Sequence, residues 1–150
     1  MPASIEVAII EAPLLLPEEA GPATSGAVCR FVGQTRAQRD SEHGALVALE
    51  YHCYQDMAES ELHRLAAVAI ERWEIDGVRV HHAKGSVAIG EASVIIDVMA
   101  PHRESAFLAC RWLIDTIKHD VPIWKQERWE DGATWSKGEP LSDGGRGSEA

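Results

Sequence analysis

Basic side chains are scarce in this 150-residue chain: 14 lysines and arginines stand against 24 aspartates and glutamates, a formal charge of −10. A general nucleic-acid or anionic-membrane binder needs a broad basic face, so the deficit argues against both activities. It leaves room for a small, local basic pocket. Long apolar runs are missing too. No stretch approaches the ~20 residues that span a bilayer. The N-terminal "MPASIEVAIIEAPLLL" has no basic n-region and carries Glu6 and Glu11 inside its apolar part, so it reads as mature protein rather than a signal peptide. Only three cysteines occur, Cys29, Cys53 and Cys110, widely spaced and without a C-x-x-C pair. They read as reduced thiols, and the expected location is the cytoplasm.

Several chemical signatures are absent as well. There is no H-E-x-x-H, no G-x-S-x-G elbow, no phosphate loop and no dinucleotide fingerprint. Adjacent histidines such as His81 and His82 would point to opposite faces of a strand, as would His52 and Cys53, which makes them poor metal ligands. No metal site is expected, and core or surface roles suit these residues better.

What is present fits an ordinary soluble domain, with 45% apolar and 25% charged residues. We expect a single domain over 1–140 and a disordered tail over 141–150, "LSDGGRGSEA". Strands are expected at 4–13, 27–36, 45–54, 77–85 and 91–100, the last apolar enough to be covered on both faces. In the third strand Val47, Leu49, Tyr51 and Cys53 are expected on the buried side. Residues 14–26 read as a loop with one short helical turn, and 37–44 as an exposed, mobile loop. Helices are expected over 56–73 and from Pro101 or His102 to about His119, where Pro122 enforces a stop. A hairpin over 123–129 and 133–138 closes the chain. The fold class is α+β, or mixed α/β.

Four short stretches carry candidate chemistry. In "APHRESAF" a buried strand runs into a helix whose first residues are His102 and Arg103. Cations are unfavourable at a helix N-terminus unless an anion compensates them, although Arg103 would equally pair with a surface carboxylate. Lys118 sits at the other end of that helix, where it also complements the negative helix terminus. Lys125 follows the proline break, so the chain is expected to fold back beside Lys118. Two neighbouring ammonium groups depress each other's pKa and favour nucleophilic or proton-donor roles; two surface lysines that never meet are the alternative. Arg36 and Arg39 follow "FVGQT", where Gly33 permits a close approach and an arginine can clamp an anion.

Taken together, "GAVCRFVGQTR" (26–36), "LEYHCYQDMAE" (49–59), "HRESAF" (102–107) and "DTIKHDVPIWKQE" (115–127) resemble the large, catalytic subunit of molybdopterin synthase, in the family's order across about residues 4–136. The resemblance implies a hammerhead-like α/β domain with an additional β-rich subdomain, forming a homodimer. It implies a small ubiquitin-like sulfur-carrier subunit with a C-terminal Gly-Gly thiocarboxylate, which completes a heterotetramer. The implied reaction transfers two sulfurs to cyclic pyranopterin monophosphate and forms the molybdopterin dithiolene, with no metal or organic cofactor. Residue by residue, Lys118 and Lys125 match the family's catalytic lysines. Arg36, His102 and Arg103 match its substrate-phosphate contacts, and Phe31 matches a pocket-lining aromatic. The segment "TWSKGEP" departs from the family's pattern: Lys137 stands near a position where an arginine is common. A non-catalytic adapter for a Gly-Gly-tailed ubiquitin-like protein is the competing reading, and a generic anion-binding domain is the third.

Overall fold

The computed structural model describes residues 2–18 and 21–136. Ten elements follow in order: β1 (Ser4–Glu11), β2 (Ala27–Gln34), β3 (Arg39–Asp40), β4 (Gly44–Cys53), α1 (Gln55–Trp73), β5 (Gly77–Ala88), β6 (Ala92–Ala100), α2 (Arg103–Asp120), β7 (Ile123–Trp129) and β8 (Gly132–Trp135). The expected tail and Lys137 lie outside the described residues. Strands and helices fall in the α+β arrangement the sequence implies.

β5 is the strand on which the fold turns. Its first half pairs antiparallel with β6 and parallel with β1, and β2 lies beyond β6. Its last residues, 85–88, pair instead with β4, which leads on to β7 and β8. The handover falls at Gly85, whose φ of +86° lies in the left-handed region. An added Cβ there would also meet the Glu11 carboxylate at 2.5 Å. The carboxylate tip can swing aside, so backbone strain dominates. Gly85→Ala is expected to cost about 1–3 kcal/mol of stability, measured by urea denaturation.

One face of the β2-β6-β5-β1 sheet is covered by both helices. α1 buries Ala58, Leu62, Leu65, Ala66 and Ala69, and α2 buries Ala106, Ala109, Cys110, Leu113 and Ile117. They pack on Val78 and Val80 of β5 and on Val94, Ile96 and Val98 of β6. Ile95 points the other way, into a second cluster with Leu14, Leu46, Leu49, Tyr51, Ala83 and Val87. β6 is apolar on both faces because each faces a different core. α2 ends at Asp120, since Pro122 forces Val121 into extended backbone, where its N–H still reaches the Ile117 carbonyl.

Three expectations need correction. Val47 is 52% exposed rather than buried, because the β4–β7 register shifts between Leu46 and Ala48. A bulge there sends Leu46, Ala48 and Leu49 inward and Val47 out. Residues 37–44 are not a plain loop: β3 pairs with the start of β4, and the Asp40 carboxylate accepts the Glu42 and His43 N–H groups at 2.9 and 3.0 Å. The described residues of 14–26 form turns and bends without a helical turn.

The apolar run of β6 also hides a charge. Asp97 is 1% exposed and accepts from Arg30 Nε at 2.6 Å and from Arg79 Nη1 at 2.7 Å. Burial opposes its ionisation, but the two guanidinium groups outweigh that and hold its pKa below the usual carboxylate value. Asp97→Ala leaves two arginines facing each other, and should lower stability by about 3 kcal/mol in urea denaturation at pH 7. Because the folded-state pKa is depressed, this contribution is present above about pH 4 and fades as pH falls through the folded value. The variant's deficit should therefore shrink in acid.

Candidate active site

The two lysines arrive from separate elements. Lys118 is on the last turn of α2 and exposed; Lys125 is on β7, half-buried and opposite Tyr51 of β4. The Tyr51 ring in turn packs against one buried side chain, His82. Its ring is buried, with the Tyr51 ring edge-on at 5.1 Å. Nδ1 lies 2.8 Å from the Ala83 carbonyl oxygen, which can only accept, so Nδ1 carries the hydrogen. Burial first, then the charges of Lys125 and Lys118, press the His82 pKa down to about 4, against the opposing pull of the Ala83 hydrogen bond. The imidazole is neutral at pH 7. The chain thus folds back after Pro122 and pairs Lys125 with Tyr51, whose ring packs against the uncharged His82.

Strand register places the remaining candidates. Gly33, Val94, His82 and Ile9 form one row across β2, β6, β5 and β1. Gly33 and His82 are two strand spacings apart, about 10 Å. Arg36, exposed, lies three residues beyond Gly33 and so belongs to the lysine end of the sheet. The close approach at Gly33 is to the Val94 side chain, which a Cβ would meet at 2.9 Å. Phe31 is half-buried and packs against the helix-covered core.

His102 and Arg103 are elsewhere. Both are exposed at the start of α2, and Gly26 at the opposite end of β2 abuts the Pro101 carbonyl there. Arg103 and Lys118 are separated along the α2 axis by about 22 Å. Within one chain the six predicted residues therefore form two groups. Lys118, Lys125 and Arg36 share one end, His102 and Arg103 the other, with Phe31 between.

Sequence reasoning did not single out the burial of His82 against Tyr51. The signal was there: in "GVRVHHAK" it shares the inward face with Val78 and Val80, whereas His81 faces outward to Glu6 at 2.7 Å.

The fold defines a class, an α+β domain in which β5 joins the two halves of an eight-stranded sheet. The MoaE protein family model matches residues 9–120. The molybdopterin synthase catalytic subunit of Nostoc sp. is 41% identical over 133 residues, covering 85% of this chain and 79% of that protein. The human molybdopterin synthase catalytic subunit is 39% identical over 110 residues, 73% of this chain and 57% of its own length. The crystal structure of molybdopterin synthase from Staphylococcus aureus superposes with a TM-score of 0.80 at 33% identity, covering 87% of this chain and 96% of that one. The chain belongs to the MoaE family, the molybdopterin synthase catalytic subunits.

Proposed function

We propose that the chain moves two sulfurs from the thiocarboxylated Gly-Gly tail of a small ubiquitin-like subunit onto cyclic pyranopterin monophosphate. The observation that carries this reading is membership of a family of catalytic subunits, in a chain that sets Lys118 on the last turn of α2 and Lys125 on β7 on either side of the Pro122 break. Both ammonium groups would stabilise negative charge: that of the acyl carrier as sulfur leaves, and that developing on the pterin. A subunit termed catalytic presupposes a further subunit, which supports the small-carrier partner. Exposed Tyr54, Trp124 and Trp135, with Tyr54 and Trp124 rings 5.4 Å apart, are the kind of surface that a partner chain covers. No helix among the described residues is long and apolar enough to cross a membrane, and we place the reaction in the cytoplasm.

The split of cations along α2 supports the homodimer. Arg36 joins the lysines of its own chain, while a second copy would bring His102 and Arg103 to the substrate phosphate, with Phe31 lining the approach. Two small subunits on that dimer make the heterotetramer. Equilibrium dialysis of labelled cyclic pyranopterin monophosphate tests the reading. Wild type should bind it and Arg103→Ala should bind about tenfold more weakly. Equal binding by both would favour the adapter, which needs no phosphate cluster.

A further inference from the structure

The sheet of β4, β7 and β8 has an aromatic outer face that the sulfur transfer does not use. Strand alternation sends Trp124, Gln126 and Arg128 to one side of β7, and Lys125 and Glu127 to the other. Register sets His52 beside Trp124, and Glu50 and Trp135 beside Gln126. The rings pack in pairs: Tyr54 and Trp124 are 5.4 Å apart, His52 and Trp135 5.7 Å. Tyr54, Trp124 and Trp135 are nevertheless 64%, 41% and 57% exposed. Along the margin Arg128 and Glu50 pair with each other at 2.8 Å. An aromatic centre with a charged margin is the anatomy of a protein interface, and tryptophan and tyrosine carry much of the binding energy in one.

Resting on the reading of this chain as the acceptor of a carrier tail, we propose that this face holds the folded body of the small ubiquitin-like subunit. Only the tail then crosses the end of the sheet to the lysines. Position decides the occupant. Trp124 directly precedes Lys125, and Lys118 lies in the last turn of α2 just before β7, so the patch and both lysines share one end of the sheet. Trp124 and Lys125 point to opposite sides of one strand, which separates the surface for the body from the surface for the tail. An extended tail gains about 3.3 Å per residue, so a body seated on Tyr54 and Trp124 reaches the lysine side with a few residues.

Calorimetric titration of the full-length chain tests this without turnover. The probes are the small ubiquitin-like subunit of molybdopterin synthase with an ordinary C-terminal carboxylate, and the same subunit lacking only its terminal Gly-Gly. Wild type should bind both, because the body carries most of the affinity. The double variant Tyr54→Ala/Trp124→Ala should bind each about 30-fold more weakly. Both side chains are exposed, so the variant should keep the wild-type melting temperature and the wild-type mass in light scattering. Unchanged affinity in the variant would overturn the proposal, as would wild type that binds only the probe with its Gly-Gly. A fall in mass would assign the face to a second copy of this chain and overturn it too. Wild type that binds neither probe would remove the carrier reading itself, whereas equal binding by wild type and variant removes this docking face alone.

Discussion

Lys118→Ala lowers the rate of dithiolene formation by about 10²–10³-fold, the loss expected when a charge-stabilising donor is removed from a transfer site. Its thermal melting stays at the wild-type value, because the side chain is exposed at the end of α2 and belongs to neither core cluster. Lys125→Ala should fall similarly in rate. It should also lose some stability, since Lys125 is half-buried in the strand that pairs with β4. Single-turnover rates followed by mass spectrometry, with melting curves on the same samples, check both. A Lys118→Ala rate within a few-fold of wild type would remove that lysine from the chemistry.

Mixing two impaired variants, at pterin concentrations well below the wild-type dissociation constant, restores activity if the pocket spans two chains. Lys118→Ala and Arg103→Ala fail for different reasons, and the two residues stand about 22 Å apart along α2 within one chain. In a hybrid dimer one pocket receives both lesions and the other receives neither. Random subunit exchange makes about half of the dimers hybrid, so the mixture should recover about a quarter of wild-type activity. No recovery after verified subunit exchange would mean that each pocket is built from one chain, and that the separation along α2 has another meaning.

Most of the fold is legible from local pattern. The 3.6-residue stripes of α1 and α2, the apolar run of β6 and the stop at Pro122 all reflect forces acting within a few residues. What escaped depends on partners distant in sequence. Val47 faces out because β7 imposes a bulge on β4, and nothing in "ALVALEYHCY" encodes that shift. β5 runs past its expected end because Gly85 lets it pass from β1 to β4. Asp97 is tolerated inside an apolar strand only because Arg30 and Arg79 arrive from the strands on either side. The placement of Lys118 at the end of α2 and of Lys125 on the strand after Pro122 was legible from the proline break. The packing of His82 against Tyr51, the register partner of Lys125, was not, since His82 lies on β5, 31 residues after Tyr51. The separation of Arg103 from Lys118 was legible too, since the helix expected from 102 to 119 already put them at its opposite ends.

The most direct measurement is a reconstitution. The chain would be mixed with a thiocarboxylated small ubiquitin-like subunit and cyclic pyranopterin monophosphate, and the pterin product weighed by mass spectrometry. The account predicts a gain of two sulfurs on the pterin and a matching loss of thiocarboxylate from the small subunit. Tight binding of the small subunit with no sulfur on the pterin would contradict it, and leave a folded adapter in place of an enzyme.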